Sequence, residues 1–288
     1  MIVEPGNAMA HAVADILLKA AQLNRSDPHR QGNVLEFRPG ERLLVCGDLH
    51  GHRHNLSKVI GYAALGSAPS RMLVLQEVIH GGAIDSEGGD RSFELLVRAA
   101  RLKNQYPGQV HFLLSNHDLA QFTDNEITKN GCGFCKAFDI GLEKAYGADA
   151  AEVEAAMDEF FRSQPLAGRC PNGIFISHTL PSPVRAKRFD PEVLRRPYRE
   201  EDFKNGGAVY DLVWGRRHDE ATLDQMALLL NCTMFVNAHQ NQDDGFALNG
   251  RQLIIASDHA HGTIAEFGAD ENIPPDMLAS VVRPIVKL

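Results

Sequence analysis

Candidate metal ligands follow five apolar segments of this 288-residue sequence. Each segment has the length and composition of a buried strand and is followed by carboxylate, imidazole or amide side chains. In chain order these side chains are Asp48 and His50, Glu77, Asn116 and His117, His178, and His239. Ligands of open α/β sheets bind at the carboxyl ends of the strands. Because mixed oxygen and imidazole donors suit Mn, Fe or Zn, the pattern predicts a metal centre whose ligands suffice for two ions.

Strands and helices alternate in the elements that must position these side chains. Apolar runs predict strands at 42–46, 71–75, 110–114, 174–177, 233–236 and 252–256, and helical periodicity predicts helices at 7–23, 56–64, 92–105 and 148–163. This order indicates βαβ units, a largely parallel sheet and an α/β fold. After residue 165 the strands are expected to be separated by loops rather than by regular helices. One integrated domain is expected, because ligand candidates occur in both halves.

Composition excludes several classes of protein. The formal charge of −8 disfavours non-specific nucleic-acid binding, which requires clustered Lys and Arg. No apolar run approaches the roughly 20 residues that span a bilayer, and Met1–Pro5 lacks the features of a signal peptide. A cytoplasmic protein with neither nucleic-acid nor membrane partners is therefore expected.

The five cysteines are odd in number and scattered, which favours reduced thiols over a disulfide framework. Cys132 and Cys135 form a single CxxC pair, which could be redox-active or half of a zinc knuckle. Without a second pair, burial as ordinary thiols is favoured.

Two of the strand-end motifs resemble those of calcineurin-like metallophosphoesterases. Gly47-Asp-Leu-His-Gly51 resembles GDxHG, and Ser115-Asn-His-Asp118 resembles GNHE/D. Further segments resemble the phosphoprotein phosphatase branch, namely Phe175–Pro183 (HGGLSP), Asp211–Trp214 (DLLW), and Asn237–Gln240, Asp244–Phe246 and Arg251–Leu253 (AHQ, DGF and RQL). The resemblance runs in order from about Arg42 to about Gly262, which is most of the chain.

The resemblance implies an α/β/β/α sandwich of four layers with two metal ions, Mn, Fe or Zn. Asp48, His50 and Glu77 would hold the first ion, and Glu77, Asn116, His178 and His239 the second. His117 would be the general acid while a hydroxide bridging the ions attacks phosphorus in line. The implied substrates are a phosphorylated protein or a small phosphoester. The implied division of the chain is a helix and lead-in at 1–40, a catalytic domain at 41–270 and a tail at 271–288.

The second motif departs from the family pattern GDxVDRG and reads Gln76-Glu77-Val-Ile-His80-Gly81-Gly82. The bridging carboxylate becomes Glu77, the Asp that orients the general acid becomes His80, and a phosphate-binding Arg becomes Gly81. Arg216 and Arg217 are the candidates for a replacement phosphate clamp. Charged residues of the following loop, Asp85, Glu87, Asp90 and Arg91, could also reach the site, although solvated loop charges are favoured. His259 and His261 could add an acid or a ligand or could be ordinary loop residues.

Three functions remain open on this sequence. The first is a phosphoesterase of the protein serine/threonine phosphatase type. The second is a hydrolase of dinucleoside polyphosphates or other phosphodiesters, and the third is a weakly active or non-catalytic phosphate-binding scaffold. The complete set of ligand types together with His117 favours catalysis over a scaffold. Of the two catalytic functions, the first is preferred and the second is the alternative.

Overall fold

Two β-sheets lie face to face in the computed structural model of the chain, which describes residues 5–82, 84–129 and 131–288. The strands are β1 Arg30–Gln31, β2 Val34–Glu36, β3 Arg42–Asp48, β4 Arg71–Gln76, β5 Val110–Leu113, β6 Thr128–Lys129, β7 Cys132–Gly133, β8 Ala167–Arg169, β9 Ile174–Ser177, β10 Met234–Asn237, β11 Phe246–Asn249, β12 Gln252–Ile255, β13 Thr263–Gly268 and β14 Val282–Pro284. One sheet has the order β14-β13-β3-β4-β5, and the other has the order β1-β2-β8-β9-β10-β12-β11. Strands β6 and β7 form a separate hairpin.

Helices occupy the segments between the strands. They are α1 Pro5–Arg25, α2 Arg53–Ala63, α3 Phe93–Gln105, α4 Asn116–Phe122, α5 Phe134–Tyr146, α6 Ala150–Ser163, α7 Pro183–Ala186, α8 Ala208–Trp214 and α9 Glu220–Leu230. Short 3-10 helices occur at Gly147–Asp149, Pro191–Leu194, Glu200–Phe203, Pro275–Val281 and Ile285–Lys287.

Alternation along β3 shows how the layers are packed. Leu43 and Val45 belong to a core cluster that also contains Val236 of the other sheet, so they face the space between the sheets. Leu44 and Cys46 belong to the cluster that contains the helix residues. Successive side chains of a strand point to opposite faces, so both faces of β3 are covered. The predicted α/β/β/α sandwich is confirmed.

The carboxyl ends of the central strands meet at one edge of the sandwich. Strands β3, β4 and β5 run parallel in one sheet, as do β9, β10 and β12 in the other. The two sheets are joined there, because Asp48 forms a bridge with Ala256 and its carbonyl accepts a hydrogen bond from Ser257 N at 3.1 Å. The residues that follow these strands are therefore brought to one place.

The sequence-based elements of the first half agree with the structure to within a few residues. The expectation of loops between the later strands holds between β10 and β12 but was wrong between β9 and β10. Helices α8 and α9 lie between β9 and β10. Helix α9 buries Leu223, Met226 and Leu230, which are spaced for one helical face. Its N-terminus is capped by Asp219, whose Oδ1 accepts the Thr222 N–H at 2.8 Å.

The terminal segments pack on the body of the molecule. Helix α1 lies against α6 and α3, and β14 pairs with β13. The domain boundaries and the cytoplasmic location stay predictions. Within the described ranges, no helix is both long enough and apolar enough to cross a bilayer. Cys46, Cys135, Cys170 and Cys232 are free thiols, as predicted, and the Cys132 side chain lies outside the described residues.

Candidate metal centre

Glu77 lies at the centre of the strand-end cluster, directly after β4, and is 2 % exposed. Its two carboxylate oxygens face different partners. Oε1 is 2.8 Å from His50 Nε2, and Oε2 is 2.8 Å from His178 Nε2. One carboxylate thus connects two groups of ligand candidates, as a bridging ligand must.

The second group meets at the side-chain oxygen of Asn116. His178 Nε2 and His239 Nδ1 each lie 2.8 Å from Asn116 Oδ1. Asn116 begins α4, whereas His178 and His239 follow β9 and β10, so three separate elements supply this group. All three residues are at most 3 % exposed.

Asp48 and His50 complete the first group. Asp48 Oδ1 accepts the backbone N–H of His239 at 3.0 Å, and His178 Nδ1 lies 3.8 Å from the same oxygen. His50 donates its Nδ1 hydrogen to the His80 carbonyl oxygen at 2.5 Å. This contact leaves His50 Nε2 free to act as a ligand atom beside Glu77.

Unsatisfied buried atoms show that this donor set fits cations. Glu77 Oε2, His178 Nδ1 and His239 Nε2 are buried without a hydrogen-bond partner. Buried polar atoms without partners are costly, and cations compensate them. Carboxylate, imidazole and amide donors match Mn, Fe or Zn better than an ion that prefers oxygen ligands alone.

Electrostatics also favour cations here. Burial and the neighbouring negative charge of Glu77 raise the pKa of Asp48 to about 6. Burial would raise the pKa of Glu77 as well, but His117, His178 and His50 hold it well below its usual range. Burial opposes protonation of His50, yet Glu77 and Asp48 raise its pKa to about 10. Two carboxylates are therefore enclosed together, and positive charge stabilises them.

His117 lies beside the first group, at the start of α4. Its Nε2 atom is 3.7 Å from Glu77 Oε1, and burial lowers its pKa to about 3. A capping box fixes this helix start, because Ser115 Oγ accepts the Asp118 N–H while the Asp118 carboxylate accepts the Ser115 N–H. The His117 ring is thus held by a rigid backbone at the edge of the cluster.

Left-handed backbone conformations are concentrated in this cluster. His50, Glu77, His80 and His239 have φ values of +41°, +42°, +62° and +69°. Such conformations cost roughly 1–3 kcal/mol each in residues other than glycine. Packing elsewhere in the fold must therefore offset the backbone strain of this cluster.

A cavity of about 800 Å³ opens above the cluster. Its floor is formed by Asp48, His50, Glu77, Asn116, His117 and His239, whereas His178 is fully buried and does not line it. Phe134, Trp214, Arg216 and Arg217 contribute to the walls. Both arginines are exposed, and neither forms an ion pair with a described residue. The positive charge of Arg216, after burial and His178, helps to hold the pKa of His239 well below its usual range.

The other charged candidates lie elsewhere. Asp85 and Glu87 pair with Lys144, and Arg91 pairs with Glu94. Asp90 is fully buried and accepts the Gly81 and Ser92 backbone N–H groups, so it shapes the loop. His259 contacts the Gln242 carbonyl oxygen at 2.9 Å, and neither it nor His261 lines the cavity.

Sequence reasoning missed the partners of His80. His80 Nδ1 lies 2.9 Å from His117 Nδ1, and His80 Nε2 lies 2.8 Å from Gln121 Oε1. His80 thus contacts the ring of His117, the place at which the sequence suggested that an orienting group was lost. A signal was available, because Gln121 follows His117 by four residues on one helix and so shares its face.

Comparisons with known proteins agree with this fold. The family model described as calcineurin-like phosphoesterase matches residues 41–243. A protein serine/threonine phosphatase from Saccharomyces cerevisiae with similarity to human phosphatase PP5 superposes with a TM-score of 0.71 at 16% identity, covering 95% of this chain and 89% of that one. A cold-active protein-tyrosine phosphatase from the psychrophile Shewanella sp. gives a TM-score of 0.60 at 14% identity, covering 92% and 84%.

Proposed function

This chain belongs to the calcineurin-like phosphoesterase family of metal-dependent phosphatases, and on that basis we propose that it hydrolyses phosphomonoesters, with phosphoserine and phosphothreonine residues of proteins as the substrate class. The observation that carries the proposal is the placement of Glu77 between two ligand groups at the floor of an open cavity. The segments that resemble the phosphoprotein phosphatases favour a protein substrate over other phosphomonoesters.

In this proposal, Asp48, His50 and Glu77 would hold one ion, and Glu77, Asn116, His178 and His239 would hold the other. Two bound ions would supply Lewis acidity, which neutralises charge on the phosphoryl oxygens and lowers the pKa of water. Manganese, iron and zinc all suit this donor set.

His117 acts as the general acid in this reaction. Its Nε2 atom faces the cavity beside Glu77, 3.7 Å from Oε1. When the bond between phosphorus and the leaving oxygen breaks, the electron pair remains on that oxygen, and His117 Nε2 delivers to it a proton that the attacking water has given up. Water supplies the oxygen that replaces it on phosphorus, so an ester and water give an alcohol and phosphate.

Arg216 and Arg217 bind the phosphoryl oxygens. Two guanidinium groups without ion-pair partners among the described residues line one wall of the cavity. A monoester dianion offers more charge to them than a diester monoanion, and charge-assisted hydrogen bonds from arginine are strong. This favours phosphomonoesters over diesters.

The test compares substrates on purified protein supplied with Mn²⁺. We expect hydrolysis of an aryl phosphate and of a phosphoserine peptide at rates above those for an aryl phosphodiester or a dinucleoside tetraphosphate. A phosphotyrosine peptide of otherwise identical sequence shows whether the enzyme prefers phosphoserine to phosphotyrosine. Asp48→Asn and His117→Asn should each abolish turnover of the phosphoserine peptide.

A preference for the diester or the dinucleoside tetraphosphate would overturn the assignment of substrate class. Turnover no higher than that of His117→Asn with Mn, Fe and Zn in turn would instead indicate a phosphate-binding scaffold. Elemental analysis of the same preparations separates an inactive enzyme from one that has lost its metals.

A further inference from the structure

The His80 ring lies between His117 and Gln121 in a buried chain of hydrogen bonds. His80 is 1 % exposed, and its two ring nitrogens lie 2.9 Å from His117 Nδ1 and 2.8 Å from Gln121 Oε1. The chain continues from Gln121 Nε2 to Asp139 Oδ1 at 2.8 Å. Two side chains, His80 and Gln121, therefore connect the candidate general acid to the Asp139 carboxylate of α5.

The donor and the acceptor of each hydrogen bond in this chain can be assigned by starting from Asp139. Asp139 offers only acceptor oxygens when ionised, so the Gln121 amide must point its NH₂ group toward it. Reversing the amide would place two acceptors against each other. Gln121 Oε1 then faces His80, and His80 must carry its hydrogen on Nε2. A neutral imidazole with Nε2–H has a lone pair on Nδ1, which accepts the hydrogen of His117 Nδ1.

Packing holds the His80 ring in this orientation. The Phe134 ring stacks on it with centroids 6.1 Å apart at 21°, and the Phe138 ring meets it edge-on at 5.3 Å. The His80 backbone N–H donates to Ser92 Oγ at 2.9 Å. Because two rings of α5 contact the His80 ring and its backbone is fixed, the ring cannot turn away from His117 without disturbing α5.

We propose that His80 is a positioning residue that, together with Gln121 and Asp139, holds His117 as the tautomer with a hydrogen on Nδ1. The cavity-facing Nε2 atom is then the one that takes up the proton given up by the attacking water and passes it to the leaving oxygen. This inference rests on the proposed function, because it assigns a partner to the proposed general acid. A neutral imidazole here does the orienting work for which the family pattern uses a carboxylate.

Two isosteric substitutions separate orientation from packing. In His80→Asn, the asparagine Oδ1 lies near the position that His80 Nδ1 occupied and can accept the hydrogen of His117 Nδ1. The leucine of His80→Leu has the same shape as asparagine but offers no acceptor. A misplaced general acid harms poor leaving groups most. We expect His80→Leu to lower kcat about 10- to 100-fold on an alkyl phosphate, with a smaller loss on 4-nitrophenyl phosphate and an unchanged KM. His80→Asn should restore most of the lost rate.

Exposed His54 provides the control, because His54→Asn removes a histidine outside the site and should match the wild type. If His80→Leu does not fold, Gln121→Leu tests the same chain with the His80 ring retained. It removes the acceptor that fixes the His80 tautomer and should reproduce the dependence on leaving group. Equal losses of kcat in His80→Asn and His80→Leu would overturn the proposal. Equal losses of kcat on the alkyl phosphate and on 4-nitrophenyl phosphate would also overturn it.

Nitrogen-15 NMR of histidine-labelled protein loaded with diamagnetic Zn²⁺ reads the tautomer without any turnover. Signals of His117 are identified by their absence in His117→Asn. We expect Nδ1 of His117 to be protonated and Nε2 to be unprotonated in the wild type and in His80→Asn, and this preference to be lost in His80→Leu. A hydrogen on Nε2 in the neutral wild-type ring would refute the assignment. Because the spectrum does not require hydrolysis, failure of the proposed function and failure of this inference are distinguishable.

Discussion

Gly81 lies so close to His50 that a Cβ atom added to Gly81 would be 2.8 Å from the His50 carbonyl oxygen and 2.9 Å from its Cβ. The φ of Gly81 is +140°, a conformation that favours glycine. His50 is also held from this loop through its hydrogen bond to the His80 carbonyl. Position 81 therefore excludes any side chain, including the arginine that the family pattern carries there, and the phosphate-binding charge has to come from another element.

Restoring that arginine should harm the enzyme rather than improve it. Gly81→Arg and Gly81→Ala share the same Cβ clash with His50, so both should lower kcat/KM on an aryl phosphate by about 10- to 100-fold, the usual cost of disturbing a ligand's support. Metal content measured on the same samples should also fall. Gly108→Ala is the matched control, because no atom lies within 4 Å of the Cβ it would add. A higher kcat/KM for Gly81→Arg would contradict this account.

Arg216 and Arg217 should determine affinity for phosphate. Removing either guanidinium loses charge-assisted hydrogen bonds worth about 1.5–3 kcal/mol before screening by solvent. We expect Arg216→Ala and Arg217→Ala each to raise both KM and the inhibition constant of inorganic phosphate by roughly 10-fold. Arg188→Ala, an exposed arginine that does not line the cavity, is the comparison. Unchanged phosphate inhibition in the Arg216 and Arg217 double variant would remove them from the binding site.

The strand ends could be predicted from sequence because burial on both faces produces continuous apolar runs. Asp48 and His239 are 191 positions apart, yet each follows such a run. Parallel strands place their carboxyl ends at one edge, so the meeting of these residues follows from topology. Arg216 and Arg217 were suggested on a different ground, because they follow the Asp211–Trp214 segment that resembles a family motif, and they line the cavity.

The surroundings of His80 could not be predicted in the same way. Its contacts with Phe134, Phe138 and Gln121 depend on how α5 packs against α4, and α5 was not recognised in the sequence. Residue spacing gives no measure of a packing angle between helices. The tautomer of His80 depends on these contacts. The sequence therefore indicated only that His80 replaces the orienting Asp of the family motif, not that it could take over its role.

Metal removal should destabilise the fold. Asp48 and Glu77 are 4 % and 2 % exposed, and without cations their charges repel inside the protein. A ligand that binds only the native state raises its stability by RT ln(1 + [L]/Kd), about 2.7 kcal/mol at 100 times Kd. We expect Mn²⁺ to raise Tm by several degrees and a chelator to reverse the change, with two equivalents of metal by elemental analysis.

Two variants serve as controls. The rise in Tm on adding Mn²⁺ should be much smaller in Asp48→Asn than in the wild type, and it should equal that of the wild type in Asp85→Asn, which removes a surface carboxylate. An equal shift in both variants would indicate binding elsewhere.

A second buried charge cluster ties the segment after α1 to the sheet. Asp27 Oδ2 lies 2.7 Å from Lys103 Nζ and 2.9 Å from His111 Nδ1, and Lys103 is fully buried. Burial would raise the pKa of Asp27, but hydrogen bonds from His111 and His29 and the charge of Lys103 hold it well below its usual range. Because Lys103 already supplies the cation, the cluster fits an ion pair within the protein better than a metal.

Asp27→Asn should therefore lower the free energy of unfolding by about 3–5 kcal/mol, since it leaves the buried Lys103 charge without its partner. The double variant Asp27→Asn with Lys103→Met should lose less than the sum of the single losses, because it buries no unpaired charge.

The stabilisation by Asp27 should also depend on pH, because its pKa is lower in the folded protein than in the unfolded chain. Its contribution to the free energy of unfolding is complete above the unfolded pKa of about 3.9 and is lost as pH falls through the folded pKa. Urea denaturation from pH 7 to pH 3 should show the difference between wild type and Asp27→Asn constant at first and narrowing below about pH 4. Additive losses in the double variant, or a difference that widens as pH falls, would show that the pair does not stabilise this segment.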